Sequence, residues 1–181
     1  MIVKFPQVQK FRIALSGGID SMVLSNFCLC GRKDFGVIHF NHGTPNASRY
    51  EDFVSNYCDI LDLNIVVHKF DGEPSEYNWS IWRNKIMSEC EVPVYTAHHA
   101  NDSLESFFMR GSGVSWQNGN IFRPLISVKK KEIIDYANRN GIMWVQDATN
   151  YDNSIRRNRI RNVLIPEMIQ CGIDPFKFLG L

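Results

Sequence analysis

The sequence predicts an α/β fold built on a doubly wound parallel sheet of about five strands, with helices on both faces. Two observations lead to this fold class. Short runs of β-branched and apolar residues alternate with segments whose apolar residues recur every three or four positions, as in repeated βαβ units. Clusters of polar residues also follow three of the predicted strands, and in such sheets ligands bind beyond the carboxyl ends of the strands.

The elements are predicted to alternate along the chain. The first strand is the apolar run at residues 13–15, and a helix begins after the Ser-Gly-Gly turn that follows it. Later apolar, β-branched runs predict strands at residues 35–42, 63–70, 92–97 and 142–145, with a short extended piece at 121–125. Helical spacing predicts helices at residues 47–61, 75–90, 101–109, 129–140 and 155–169, the last kinked or ended by Pro166, and a turn is expected at 147–150.

The composition is that of one globular domain. The chain has 181 residues, of which 44% are hydrophobic and 22% charged, so it is long enough for a real core. We expect a single domain over residues 1–181 that ends in a basic helical segment from about residue 151. No run reaches the ~18 apolar residues of a membrane helix, and the first residues lack a signal-peptide core, so we expect a cytoplasmic protein without a membrane partner. Five cysteines without paired spacing argue against a zinc or iron–sulfur site.

The net charge of +1 conceals an uneven distribution. Residues 123–161 carry nine Lys and Arg against four Asp and Glu, whereas the rest of the chain carries eleven against fifteen. A basic segment beside an acidic body suggests a polyanionic partner on one side. A solvated helix face explains the same charges equally well, so the charge pattern alone leaves both explanations open.

The strongest local signal is the turn Ser16-Gly17-Gly18 between the first strand and the first helix. A helix N-terminus attracts anions, because its N–H groups lack partners and the helix dipole is positive there. The glycines let the backbone approach an anion, and Ser16 and Ser21 add hydroxyl groups. No lysine or third glycine follows, which excludes the two commonest phosphate loops. Asp20 beside a phosphate suggests an intervening Mg²⁺, although a plain tight turn remains the alternative.

A second polar cluster, His98-His99 with Asp102 and Glu105, follows the fourth predicted strand. With a helix start near residue 101, the two carboxylates share a face on which they could hold Mg²⁺ or an ammonium group. Either histidine could carry a proton near neutral pH, and the sequence does not say which one faces the site. The alternative is that Asp102 complements the helix dipole while the histidines pack at the strand end. A third cluster, residues 39–42, follows the second strand.

These motifs resemble a known family. Ser-Gly-Gly-Ile-Asp-Ser at residues 16–21 is similar to the pyrophosphate loop (PP-loop) of the N-type ATP pyrophosphatases, which split ATP between the α- and β-phosphates. Within that superfamily, His-His-Ala-Asn-Asp-x-x-Glu followed by Arg-Gly-Ser-Gly resembles the tRNA(Ile)-lysidine synthetases. The resemblance runs from about residue 11 to residue 166 and includes further pieces: Glu76 and Arg83, Arg123-Pro-Leu, a Lys-x-Glu-Ile helix at Lys130–Ile133, Trp144, residues 147–150, Arg157-Asn158, Arg161 and Pro166.

The resemblance implies a two-step reaction on RNA. ATP adenylates the C2 oxygen of the wobble cytidine in the CAU anticodon of tRNA(Ile), and the ε-amine of free lysine then displaces AMP to give lysidine. The expected cofactors are therefore ATP and Mg²⁺, and the expected partners are this tRNA and free lysine.

The resemblance also implies a role for each matching residue. The expected ATP-binding residues are Ser16, Gly17, Gly18, Asp20, Ser21, His39, Phe40 and His98. The expected catalytic residues are Asp20, Asp102, Glu105, Arg110 and His99, with Mg²⁺ held by Asp20 and Asp102. Phosphate or tRNA contacts are expected at Asn158 and at Arg83, Arg110, Arg157 and Arg161, whose guanidinium forks match phosphate oxygens. Whether Asp102 and Glu105 bind a metal or the lysine ammonium stays open.

The sequence departs from the family pattern at several positions. Thr-Pro follows the His-Gly pair of the second strand, where an arginine is usual, and Ser80 stands where an arginine usually precedes Arg83. Serines at positions 103 and 106 replace the usual glutamine and threonine. Many family members continue into domains that grip the tRNA. Without them we expect weak tRNA binding that depends on the basic segment, a homodimer or a partner.

Two other functions are compatible with the same motifs. A sister PP-loop enzyme such as a wobble thiolase would use ATP on RNA, but the chain lacks a Cys-x-x-Cys pair and an obvious catalytic cysteine. A non-catalytic tRNA- or nucleotide-binding module would have lost its acidic residues, yet Asp20, Asp102 and Glu105 are all present.

Overall fold

The computed structural model describes residues 3–146 and 152–181 and has a six-stranded sheet at its centre. In chain order the strands are β1 (Phe11–Ala14), β2 (Phe35–Asn41), β3 (Ile65–Lys69), β4 (Val94–Tyr95), β5 (Gln117–Asn118) and β6 (Ile121–Phe122). Their order across the sheet is β3-β2-β1-β4-β6-β5. All neighbours are parallel except β5 and β6, which form an antiparallel hairpin at one edge.

Helices connect the strands and follow them. They are α1 (Ile19–Cys30), α2 (Ala47–Ile60), α3 (Glu76–Ser88), α4 (Ala100–Arg110) and α5 (Lys130–Arg139). A C-terminal helical run then comprises α6 (Arg156–Arg159), a π-helical turn (Ile160–Leu164) and α7 (Ile165–Gln170), and a 3-10 helix (Pro175–Leu179) follows it. Within the described ranges, none of the helices has the length and apolar character needed to cross a membrane.

Both faces of the sheet are buried. On one face Ile13 of β1 packs with Val23 of α1 and Val54 of α2, and none of these three side chains has exposed area. On the other face Ile38 of β2 packs in a separate cluster with Met87 of α3. Strands covered on both sides by helices are typical of parallel sheets. The arrangement confirms the predicted doubly wound α/β fold.

A third apolar cluster joins α4 to the C-terminal helices. Leu104 of α4 has no exposed area and lies with Ile160, Ile165 and Phe176. This contact holds the C-terminal helices against the N-terminal part of α4, beside the carboxyl end of β4. The residues before α6, 147–151, include the predicted turn at 147–150 and lie outside the described part of the chain.

The predicted strand at residues 142–145 is wrong. This segment has no ladder partner and instead makes single backbone bonds: Ile142 N–H donates to Ala137 O at 3.0 Å, and Val145 N–H donates to Gly17 O at 2.9 Å. Its apolar pattern reflects packing, because Ile142 and Trp144 are half-buried against the main core. The segment therefore supports the glycine loop from one side. The extended piece at 121–125 is shorter than predicted and gains β5 as a hairpin partner.

Pro166 does not end the C-terminal helical run, which changes there from a π-helical turn to α7. Proline lacks an N–H, and its ring crowds the carbonyl four residues earlier, so an ordinary helix cannot pass through it unchanged. Here the π-helical turn Ile160–Leu164 precedes Pro166, which occupies the first turn of α7. The run therefore continues to Gln170, with altered hydrogen bonding, over nearly the range that the sequence predicted.

Gly17 is expected to be required for stability. Its φ is +83°, and an added Cβ would stand 3.2 Å from Cδ1 of Phe53. We expect Gly17→Ala to lower the free energy of unfolding by about 2 kcal/mol, because the left-handed backbone is strained and Phe53 must move. Gly119→Ala is the matched control, since Gly119 has a φ of +55° with nothing within 4 Å of the added Cβ. Urea unfolding measures both variants, and equal losses would contradict a role for Phe53.

Candidate active site

The glycine loop between β1 and α1 is held in shape by two serines. Ser21 Oγ donates to Gly18 O at 3.0 Å and accepts the Ser16 N–H at 3.1 Å. Because the only Ser21 hydroxyl proton is used there, the Ser16 hydroxyl is the donor in the 3.0 Å contact between the two hydroxyls. Ser16 Oγ also accepts the Gly18 N–H at 3.3 Å. The serine hydroxyls thus stabilise the loop, and the N–H groups at the start of α1 are left to face an anion.

Asp20, in the first turn of α1, lies between two basic side chains. Its Oδ1 is 2.5 Å from Lys130 Nζ at the start of α5 and 3.5 Å from His99 Nε2. Burial raises the pKa of Asp20, but the hydrogen bond and charge of His99 and then Lys130 outweigh it and lower the pKa to about 2. Asp20 is therefore an anion throughout the physiological pH range, and about a third of its side chain remains exposed.

His99 caps α4 and joins two carboxylates. Its Nδ1 accepts the Asp102 N–H at 3.4 Å, while the Asp102 carboxylate accepts the His99 N–H at 3.0 Å, which completes a capping box. Because Nδ1 is engaged with the N-terminus of α4, Nε2 is the ring nitrogen that faces the carboxylates. That nitrogen lies 3.5 Å from both Asp20 Oδ1 and Asp102 Oδ2. Of the two adjacent histidines, His99 is the one that directly faces the carboxylates.

Glu105, one turn further along α4, is completely buried and matched by two arginines. Arg157 Nε donates to Oε2 at 2.6 Å, and Arg161 Nε donates to Oε1 at 2.6 Å. The same arginines reach Asp102 Oδ1 at 3.3 and 3.5 Å. The pKa of Asp102 is lowered, since His99, His98 and Arg157 together outweigh the opposing effect of burial. Asp102 and Glu105 therefore belong to one cluster with Arg157 and Arg161.

The start of α5 is fixed next to the start of α4 by hydrogen bonds from two backbone N–H groups. Lys130 N–H donates to Asn101 Oδ1 at 2.8 Å, and Ala100 N–H donates to Val128 O at 2.9 Å. These bonds bring Lys130 to Asp20, which is 110 positions away in the sequence. The Lys-x-Glu-Ile match included Lys130, but nothing in the sequence pointed to this contact with Asp20. Lys130 supplies the cation beside the glycine loop that the loop sequence itself lacks.

Three further side chains were predicted to bind ATP, namely His39, Phe40 and His98. His39 is buried and its Nδ1 donates to Leu15 O at 2.8 Å, and burial lowers its pKa. The Phe40 ring packs edge-on against Trp82 with ring centres 5.3 Å apart. His98 Nδ1 lies 2.9 Å from Thr96 Oγ1, and burial is the main cause that lowers its pKa to about 4, so it is neutral at pH 7. Contact of these three residues with ATP stays a prediction.

The residues that were predicted to bind phosphate or tRNA lie on different helices and do not form one group. Arg110 lies exposed at the end of α4, where its Nη2 donates to Ser106 Oγ at 2.9 Å. Asn158 is buried and donates to Asp152 O at 3.0 Å, a contact that shapes the start of α6. Arg83 on α3 donates to His42 Nε2 at 2.9 Å. Arg157 and Arg161 therefore contact the carboxylates of Asp102 and Glu105, whereas Arg110 lies apart from them at the C-terminal end of α4.

A glycine loop on a helix N-terminus, at the carboxyl edge of a doubly wound parallel sheet, defines a nucleotide-binding α/β domain. Residues 2–168 match the PP-loop domain family, and the chain belongs to that family. This match confirms the resemblance of the glycine loop to the PP-loop.

Two curated tRNA(Ile)-lysidine synthases are similar to most of this chain. The tRNA(Ile)-lysidine synthase of Actinobacillus pleuropneumoniae is 34% identical over 183 residues, which cover 90% of this chain and 43% of the relative. That of Neisseria gonorrhoeae is 32% identical over 191 residues, covering 91% of this chain and 43% of the relative. The chain thus spans less than half the length of these relatives. Among solved structures, the NH3-dependent NAD synthetase of Campylobacter jejuni shares the fold, with a TM-score of 0.56 at 15% identity over 97% of this chain and 82% of its own.

The lowered pKa of Asp20 makes stability depend on pH. A carboxylate whose pKa falls from 3.8 to about 2 on folding stabilises the folded state above pH 3.8, and this contribution is lost as the pH falls through about 2. We expect Asp20→Asn to lower the free energy of unfolding by about 1–2 kcal/mol near neutral pH, with the difference from wild type shrinking toward zero near pH 2. Urea unfolding at several pH values measures this difference, and a constant difference would contradict the assignment.

The buried charge of Glu105 should matter more for stability than exposed charges do. We expect Glu105→Gln to lower the free energy of unfolding by about 3 kcal/mol, because it removes the anion that both arginines contact most closely and leaves them only the longer contacts with Asp102. Asp135→Asn is the matched control: its pair with Lys131 spans 2.8 Å, but the two side chains are 48% and 85% exposed. We expect no measurable change there. Urea unfolding measures the free energy of unfolding of both variants. If the two substitutions lower it by similar amounts, burial of Glu105 does not determine how strongly its ion pairs stabilise the protein.

Proposed function

We propose that this chain is an ATP-dependent tRNA-modifying enzyme that converts the wobble cytidine of the CAU anticodon of tRNA(Ile) to lysidine. The observation that carries the proposal is the placement of Asp20 and Asp102 on either side of His99, directly beside the glycine loop. Membership of the PP-loop family and similarity to tRNA(Ile)-lysidine synthases support the same reaction.

The first step would join AMP to the RNA. The C2 oxygen of the cytidine attacks the α-phosphorus of ATP, and the bond to the β-phosphate breaks to release pyrophosphate. The N–H groups at the start of α1 would bind the pyrophosphate, and Lys130 beside them would offset its charge. Stabilising the leaving group in this way lowers the barrier to its departure.

Asp20 and Asp102 are suited to hold Mg²⁺ with the phosphates. Mg²⁺ is usually bound by one or two carboxylates together with substrate phosphates, so two carboxylates suffice. Within the described residues, no group of three or more Asp, Glu, His or Cys side chains is arranged to hold a metal without such help. When bound, the ion would neutralise charge on the phosphate oxygens. Asp20 would then be shared between the ion and Lys130.

The second step would attach lysine. Its neutral ε-amine attacks C2 of the adenylated cytidine, AMP leaves with the C2 oxygen, and the amine loses a proton. A lysine ammonium would suit Asp102, but Arg157 and Arg161 already contact this carboxylate. Lysine binding at Asp102 therefore requires at least one of these arginines to move. Glu105, fully buried behind Asp102, acts as a positioning residue that holds the arginines.

Transfer of labelled lysine tests the proposed function. We expect the purified chain, with ATP and Mg²⁺, to transfer radiolabelled lysine to a tRNA(Ile) transcript bearing CAU, but not to one bearing GAU. Asp20→Ala and Asp102→Ala should each lower the rate at least about 100-fold, because they remove the carboxylates that would hold the Mg²⁺ that stabilises the leaving group. Asp135→Ala, an exposed carboxylate on α5, is the control and should retain the wild-type rate.

Two results would contradict the proposal in different ways. RNA-dependent formation of AMP without lysine transfer would keep the adenylation and reject lysine as the nucleophile, as expected for another PP-loop RNA-modifying enzyme. Absence of both activities, with RNA still bound, would favour a non-catalytic binding module.

A further inference from the structure

A group of aromatic and basic side chains lies beside the active site, where α3 faces the loop after β2. It consists of Trp79, His42 and Arg83. Arg83 Nη1 donates to His42 Nε2 at 2.9 Å, and the His42 ring lies 5.2 Å from the Trp79 ring, tilted by 51°. The neighbouring Trp82 is different, because it packs edge-on against Phe40 in the interior. Trp79 is half-buried, with part of its surface open to solvent.

Arg83 has no carboxylate within salt-bridge distance among the described residues, although the charge of Glu76 on the same helix partly offsets the lowering of its pKa by burial. Its direct hydrogen bond goes to a histidine whose pKa is lowered to about 4, by burial first and then by Arg83 itself, so His42 is neutral at pH 7. No carboxylate in residues 3–146 or 152–181 lies within 4 Å of Arg83, whereas Arg157 and Arg161 are matched by Asp102 and Glu105. Of these three arginines, Arg83 is therefore the one without a direct ion pair to a carboxylate.

The group lies at the same carboxyl edge of the sheet as the glycine loop. His42 follows the carboxyl end of β2, and the parallel neighbour β1 ends in the glycine loop at the same edge. Arg157, which binds Asp102 and Glu105, is also close enough to Arg83 to lower its pKa, although burial is the larger cause. An RNA strand that delivers a base to the carboxylates can therefore reach Trp79 and Arg83 as well.

We propose that Trp79, His42 and Arg83 form a subsite for one nucleotide of single-stranded RNA, next to the nucleotide that is modified. The Trp79 ring stacks on the base, Arg83 binds the adjoining phosphate, and His42 holds Arg83 in place. Aromatic stacking combined with a cation is the usual way in which proteins bind unpaired nucleotides without reading their sequence. This inference rests on the proposed function, since it requires an RNA substrate.

Binding of an anticodon stem-loop tests the subsite. We expect Trp79→Ala to weaken binding of a fluorescently labelled stem-loop with a CAU loop by about 5- to 100-fold in an anisotropy titration, the range known for loss of one stacked base. Trp79→Phe keeps a ring and should retain most of the affinity. Tyr77→Ala is the matched control, because Tyr77 lies on the same helix, is 74% exposed and has no place in the subsite.

Two further measurements separate the proposed contacts. Arg83→Ala should reduce the slope of log affinity against log salt concentration by about 1, because one phosphate contact is lost. The affinity for a fluorescent ATP analogue should be unchanged in Trp79→Ala. A fall in ATP-analogue affinity with RNA affinity intact would overturn the proposal and assign the group to the nucleotide cofactor.

The outcome can be read independently of lysine transfer. If Trp79→Ala, folded by circular dichroism, binds the stem-loop as tightly as wild type, the subsite is rejected even where lysine transfer succeeds. If Trp79→Ala loses RNA affinity while Trp79→Phe and Tyr77→Ala keep it, the subsite is supported even where lysine transfer fails. Absence of stem-loop binding by the wild-type chain would also reject the subsite.

Discussion

Burial of the Glu105 carboxylate is the constraint on which the rest of the active site depends. A charge without access to solvent is tolerated only where opposite charges and hydrogen bonds match it, and Arg157 and Arg161 provide both. These arginines belong to the C-terminal helical run, so the pairing fixes how that run lies against α4. Asp102, one turn earlier on α4, contacts the same two arginines and belongs to the same charged cluster.

The chemistry is positioned by helix ends that meet at one place. α1 contributes Asp20 in its first turn, α4 contributes its capping residue His99, and α5 contributes Lys130 at its first position. Contacts of 2.5 and 3.5 Å from Asp20 join all three. Because each helix N-terminus carries partial positive charge, their convergence favours a polyanion such as the phosphates of ATP. Rigid elements, rather than long loops, thus pre-organise the proposed phosphate site.

The sequence predicted the features that depend on local patterns, and missed those that depend on distant partners. The loop at residues 16–21, the start of α4 and the alternation of strands and helices all leave a local signal, and the structure agrees with them. The contact between Lys130 and Asp20 joins residues 110 positions apart, so nothing near either residue revealed it. Residues 142–145 had the pattern of a strand, but a pattern does not show whether a ladder partner exists. Glu105, Arg157 and Arg161 were each singled out in the sequence, but not their pairing, which joins residues 52 and 56 positions apart.

The bond at which ATP is split tests the account most directly, because a loop built to hold pyrophosphate should release pyrophosphate. ATP labelled at the α-phosphate can be incubated with the chain, Mg²⁺, lysine and a tRNA(Ile) transcript, and the products separated by thin-layer chromatography. The account predicts RNA-stimulated formation of AMP that is lost in Asp20→Ala. Formation of ADP instead would show cleavage between the β- and γ-phosphates and would contradict the assignment of the glycine loop.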